Sequence, residues 1–289
     1  MIKYIKKNQL NLIKYDACIA QSVHSRIYAF SWYLDSVSDN WDVLVLDDYK
    51  AVMPLPWKTK YFIKYIYPPR WTQQLGLFSK DEIDQNLLEE FLNAIPKKFK
   101  KVTLQLNAGN PSLSSFTQKV NYILPLHSSY ETLVKGFNKN RIRNLKKTSS
   151  CNFELVTDLS VQLFLDFYKH LPKNFKLSTD DFDRLEKLFY SEMNPIHIWG
   201  VRENGLLIAA LAWLKDSNRL TYLLPAASVE AKRKGAPSFL VAELIKLHAS
   251  TNLILDFEGS MVSGVASFYK SFGAVKEGYY FFQYRNKLL

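Results

Sequence analysis

The segment "LILDFE" (253–258) sets Asp256 and Glu258 two residues apart in a run that otherwise reads as a buried strand. Strand alternation puts both carboxylates on one face and Leu255 and Phe257 on the other. Acids crowded at a strand's C-terminal end raise one another's pKa, which suits Glu258 to general-base work. The plain alternative is that one of them caps the following turn or pairs with a Lys.

Cations form the second group. Val229–Pro237, "VEAKRKGAP", joins a strand to a helix and presents Lys232, Arg233, Lys234, Gly235 and Ala236 ahead of a proline suited to the first helical position. Free N–H groups and the helix dipole favour a phosphate there, and Gly235 lets it reach the backbone; a solvated basic turn is the alternative. In "KNRIRNLKK" (139–147), Arg141 and Arg143 offer forks for phosphate or carboxylate. A helix would turn Ile142 and Leu145 inward and spread these charges over a solvated face.

The loop "KYIYPPRWTQQLG" (64–76) carries Gln73 and Gln74, amides suited to a polar acceptor such as a peptide or sugar. Its aromatics beside Lys and Arg equally suit single-stranded nucleic acid, and a rigid structural loop is the third reading. Five histidines show neither H-x-x-x-H nor H-E-x-x-H spacing, and Cys18 and Cys151 lie far apart without C-x-x-C. Neither a metal site nor a disulfide framework is expected. No G-x-S-x-G elbow or P-loop is present.

The elements that position these residues come as a repeat. "VLVLDDYKAVMPLPW" (43–57) and "WGVRENGLLIAALAW" (199–213) align without a gap, each an apolar strand, a polar turn and a longer strand ending in Trp. Each leads through a further strand into an amphipathic helix. The first is expected at Asp81–Ile95, opened by a capping box at Ser79–Glu82, with Ile83, Leu87, Phe91 and Ile95 on one face. The second is expected at Pro237–His248, with Leu240, Leu244 and Leu247 on one face. Buried strands follow at 101–107 and 252–260, and further helices at 161–170 and 179–193, the last with Phe182, Leu185, Phe189 and Met193 inward. A spacing of ~155 residues is too long for a solenoid, whose repeats run roughly 20–50. The expected architecture is therefore α/β, with two similar domains of mixed sheet and flanking helices, 1–126 and 127–289.

At 289 residues, 47% hydrophobic and 22% charged, the chain has an ordinary globular composition. Its net charge of +11 suits an anionic partner, or only solubility. No apolar run approaches the ~18 residues of a membrane span, and the N-terminus lacks a signal peptide's apolar core. A reducing cytoplasm is the expected location.

Strand, cation-Gly-Ala loop, helix, strand, then "FYKSFGA" (268–274) resembles the order in GNAT-fold acyltransferases. There the loop grips the pyrophosphate of coenzyme A through Gln/Arg-x-x-Gly-x-Gly/Ala; this chain has Lys232-x-x-Gly235-x-Pro237, departing at both ends. The tandem repeat narrows the resemblance to FemAB-type transferases and their acetyltransferase-like relatives. "KNRIRNLKK" resembles that family's Arg-rich segment, and "FYKSFGA" its Phe-Lys-x-x-Phe-Gly ending, with Tyr269 in the Lys position and Lys270 one place later. The resemblance implies an N-acyltransferase taking an acyl group from acyl-CoA (acetyl-CoA), without a metal, to an amine of a small molecule or peptide. Glu258 would accept a proton, and Tyr269, in place before Gly273, would protonate the leaving thiolate. Backbone N–H groups around Leu223–Ala227 would hold the oxyanion, and Lys232–Ala236 the pyrophosphate. Gln73, Gln74, Arg141, Arg143 and Lys270 would meet substrate. The alternatives are a FemAB-like transferase fed by aminoacyl-tRNA, and a non-catalytic module binding nucleic acid or another polyanion.

Overall fold

The computed structural model describes residues 1–172, 177–193, 195–259 and 261–285. The chain forms two compact units: Met1–Lys119 with Thr179–Met193 and Gly278–Leu289, and Val120–Ser178 with Asn194–Glu277.

The first unit opens with β1 (Ile2–Lys6), then α1 (Leu12–Gln21) and α2 (Ser31–Val37). Next come β2 (Asn40–Leu46), β3 (Ala51–Lys60), β4 (Ile63–Ile66), the short β5 (Phe78–Ser79), α3 (Gln85–Asn93) and β6 (Phe99–Leu106). Strands β1 to β4 pair antiparallel in chain order, and α3 returns the chain so that β6 pairs parallel to β4. Leu44, Met53, Phe91, Phe99 and Val102 lie at the heart of its core. Helix α3 starts later than the sequence suggests. Ser79 sits in β5 with its hydroxyl donating to the Lys50 carbonyl, so the cap is Asp84, which accepts from the Leu87 N–H at 2.7 Å. The buried face accordingly carries Leu88, Phe91 and Leu92.

The second stretch runs β7 (Thr117–Pro125), α4 (Tyr130–Lys135), α5 (Lys139–Thr148), β8 (Phe153–Val156), α6 (Val161–His170) and α7 (Thr179–Phe189). It continues with β9 (Ile196–Glu203), β10 (Leu206–Lys215), β11 (Arg219–Ala227), α8 (Val229–Lys234) and α9 (Ala236–His248). It ends with β12 (Ile254–Asp256), α10 (Ser263–Lys270) and β13 (Val275–Arg285). Strands β8 to β11 are antiparallel in order, β12 is parallel to β11, and β7 is antiparallel to β12. Trp199, Trp213, Leu240, Leu244 and Phe257 build this core, while Leu247 and Met193, expected inside, are exposed. Asn204 and Gly205, both at positive φ, make the two-residue turn that "ENG" predicts.

The repeat is thus architectural. Hairpin β2–β3 matches β9–β10, and the parallel pair β4/β6 around α3 matches β11/β12 around α9. Each inner strand gains one more antiparallel neighbour. For β6 it is the end of β13, Tyr280 opposite Leu106; for β12 it is β7, Ile123 opposite Asp256. Helix α7 and residues from Gly278 onward therefore belong to the first unit, although they lie late in the chain. Among the described residues no helix is long and apolar enough to cross a membrane.

Candidate active site

In the second unit the sheet opens between two parallel strands. β11 and β12 pair only through Arg219–Ile254, Leu220–Leu255 and Thr221–Asp256, whereas β11 runs on to Ala227. A β-bulge accompanies the opening: Ala212 faces Leu224 and Leu214 faces Thr221, so Tyr222 and Leu223 together oppose Trp213. Bulges break the ladder locally and re-aim the backbone. Beyond it, the Ser228 N–H donates to the Ile208 carbonyl, so by alternation Leu224 and Ala226 donate toward β10, and Pro225 and Ala227 face the opening. Pro225 has no N–H to give, which a strand tolerates where no ladder bond is required. The oxyanion wall expected at Leu223–Ala227 therefore lacks a donor at its middle position.

The two carboxylates do not alternate as a strand predicts. β12 ends at Asp256, and Glu258 takes a left-handed backbone, φ +56°. Asp256 is buried and committed: Oδ2 accepts from Arg219 at 2.8 Å, and Oδ1 from Asn121 and from the Glu258 N–H, both at 2.9 Å. Arg219 also holds Glu277 at 2.6 Å, and Asn121 donates to Glu277 at 3.1 Å. Asp256 thus caps the turn and pairs with Arg219 where a Lys was expected, while Glu258 is half-buried. Sequence reasoning missed Arg219, Asn121 and Glu277; an Arg opening an otherwise apolar strand was the available signal.

Tyr269, on α10, is buried with its ring stacked on Phe257, centroids 4.8 Å apart, and edge-on to Tyr222 at 5.9 Å. Burial, then the charges of Glu258 and Asp256, hold its pKa above the usual phenol value. The hydroxyl is therefore a neutral donor across the physiological range, close to Glu258.

The cationic loop is more ordered than expected. Ser228 caps α8 through the Ala231 N–H, and the N–H groups of Lys232 and Gly235 are bonded to Ser228 and Lys232 carbonyls. Lys234 grips both oxygens of Glu203, at 2.9 and 2.7 Å; Lys232 and Arg233 are exposed. Gly235, φ +88°, ends α8 and precedes Ala236, the buried first residue of α9. A Cβ on Gly235 would lie 3.2 Å from the Thr148 methyl of α5. Most donors of a phosphate cradle at 232–236 are thus used within the helix, and α5 covers the glycine.

Arg141 departs furthest from the solvated face predicted for it. It is buried, its Nε and Nη2 donate to the Ser271 hydroxyl at 3.0 and 2.8 Å, and Nη1 reaches Ser238. Its guanidinium lies over Phe272 and Phe268, 4.3 and 4.5 Å from the ring centroids, and burial pushes its pKa down to about 10. It ties α5 to α9 and α10 and is out of a substrate's reach. Arg143 and Lys270 are exposed, Arg143 bonded to Asn140. In the first unit Gln74 is fully buried, donating to Gln73 at 2.6 Å and accepting from the Ala108 N–H, so it holds the loop and cannot face an acceptor; Gln73 is half-buried.

No protein-family model matches the sequence, and no curated protein matches it. Solved structures do match in fold. FemX superposes with a TM-score of 0.68 over 96% of each chain at 10% identity. L-PGS from Bacillus licheniformis gives 0.60 over 96% of this chain and 93% of its own at 16% identity. A tandem GNAT protein from the clavulanic acid biosynthesis pathway gives 0.60 over the whole of both chains at 8% identity. The chain therefore has a tandem GNAT, FemAB-like fold.

Proposed function

We propose that this protein is an acyl-group transferase, joining an activated acyl group to an amine in the opening between β11 and β12. The observation that carries the reading is the early end of the β11/β12 pairing, at Thr221–Asp256, next to the left-handed turn of Glu258, whose charge acts on the Tyr269 hydroxyl. The fold shared with FemX and a tandem GNAT protein supports it.

Glu258 takes a proton from the acceptor ammonium, and the freed amine attacks the acyl carbon directly. N–H groups at the Tyr222–Leu223 bulge face the oxyanion. As the tetrahedral species collapses, Tyr269 gives its proton to the departing atom of the donor. With acyl-CoA as donor, that atom is sulfur and the products are the amide and free coenzyme A. The Lys232–Ala236 segment then meets the pyrophosphate chiefly through exposed Lys232 and Arg233.

A specific observation favours a second donor. The N–H groups of Lys232 and Gly235 are used within α8, and Thr148 covers Gly235, which leaves a weak pyrophosphate grip. An aminoacyl-tRNA needs no such cradle, and the exposed Lys139, Arg143, Lys146 and Lys147 of α5 suit its phosphates.

Titration with acetyl-CoA and with charged tRNA, followed by transfer to a panel of amines, tests the reading. Consumption of one donor, abolished by Glu258→Gln, is expected. If both donors are ignored, and Glu258→Gln and Tyr269→Phe change no measurable property beyond stability, the non-catalytic reading replaces it.

A further inference from the structure

One feature of the first unit lies outside this chemistry. The β3–β4 hairpin turns on Tyr61 and Phe62, with Lys60 paired to Ile63. Both turn residues have left-handed backbones, φ +50° and +65°, positions where Asn and Gly are favoured and aromatic side chains are strained. Yet these side chains are 82% and 102% exposed. The turn neither needs them nor buries them, so local folding does not account for their presence.

Their surroundings are uniformly cationic. Lys58, Lys60 and Lys64 flank the turn, and Lys64 lies opposite Phe99 at the start of β6, within "PKKFKK" (96–101). Lys97 and Lys98 are exposed there, and no acid occurs in 49–80 or in 91–130. Among the described residues, none of these five lysines has an ion-pair partner. Lys98 instead donates to the Tyr4 hydroxyl at 2.7 Å and feels the like charges of Lys64 and Lys6. The acid that acts on Lys98 is Asp42, which is buried.

We propose that this hairpin tip is a membrane-docking element, Tyr61 and Phe62 entering the interfacial layer of an anionic lipid bilayer while the lysines meet its headgroups. Aromatic side chains favour the headgroup boundary, and lysines with apolar stems keep their charge in water beside it. Clustered lysines add attraction to anionic lipid that falls off within a Debye length. A single-stranded nucleic acid is a poorer fit. Bases stack on aromatic platforms set in a groove, whereas these two rings stand on a convex two-residue tip.

Co-sedimentation with vesicles of phosphatidylcholine alone, and of phosphatidylcholine mixed with phosphatidylglycerol, tests the proposal on the full chain. Binding is expected to the anionic vesicles only, with the emission of Phe62→Trp shifting to the blue. Tyr61→Asn combined with Phe62→Gly installs a favoured turn sequence, so it should preserve or raise the melting temperature while weakening binding at least about tenfold. Lys58→Gln with Lys60→Gln and Lys64→Gln, or added salt, should weaken it comparably. Equal binding of both vesicle types, or unchanged binding by the Asn-Gly variant, overturns the proposal. So does single-stranded RNA bound through this tip while vesicles are ignored, or a dimer that the Asn-Gly variant dissociates.

Discussion

The backbone N–H of Glu258 donates to the carboxylate of Asp256 at 2.9 Å, and that carboxylate's other oxygen holds Arg219 at 2.8 Å. One acid of the "LILDFE" segment is therefore scaffold, and it accepts from the backbone of the left-handed turn on which the other sits.

That geometry separates stability from chemistry at Glu258. Gln keeps the shape and removes the base, so transfer should fall by roughly 10²–10⁴-fold. Gly also removes the base but relieves the strain at φ +56°. Relief of ~1–2 kcal/mol, less ~0.5–1 kcal/mol of added chain entropy, should leave it about as stable as the parent or slightly more so. Rates and urea midpoints for both variants check this.

Removing Arg219 strands two acids. Arg219→Met leaves buried Asp256 and half-buried Glu277 without their cation, and should cost about 3–5 kcal/mol. Urea denaturation of this variant, beside an exposed control such as Arg143→Met, measures it.

Tyr269 should show itself in alkali. Burial and the nearby acids raise its pKa in the folded state. The native protein then keeps a proton that the unfolded chain releases above pH ~10, so this contribution is complete below ~10 and lost as pH rises further. Tyr269→Phe should lessen the fall in stability above pH ~10 and slow transfer at pH 7–8. Denaturation at several pH values, with initial rates, tests both.

Arg141 should behave as a structural cation. Lys cannot reproduce its fork to Ser238 and Ser271 or its stacking on Phe268 and Phe272. Arg141→Lys should cost about 1–3 kcal/mol while changing kcat/KM per folded molecule by less than about threefold. A large loss of kcat/KM at unchanged stability would return it to the substrate site.

Gly235→Ala tests the junction of α8 and α9. The φ of +88° and the Thr148 methyl 3.2 Å from the new Cβ both oppose it, and a loss of about 1–2 kcal/mol is expected. Thr148→Ser should recover only a small part, because the backbone strain remains.

Periodicity and turn chemistry made the repeated units legible. "ENG" could hardly be anything but a turn, and apolar runs of strand length on either side of it marked the second hairpin, as those around Asp47–Tyr49 marked the first. The helix after β5 was readable too, but its start was not. Ser79 and Asp84 are both good caps on paper, and the Lys50 carbonyl, distant in sequence, took the serine.

The amino-acid order alone determined the two hairpins and the helices that follow them, that the pattern occurs twice, and that acids, a phenol and cations gather late in the chain. Tertiary structure decided which of them are available. Asp256 met Arg219, Arg141 met Ser271 and Phe272, and Gln74 met Ala108, each across a sequence gap that local pattern does not encode. A charged side chain gives the same signal on a helix face whether water or a packed aromatic ring will meet it. Only the elements brought against it settle that, because burial is a property of the neighbours and not of the residue.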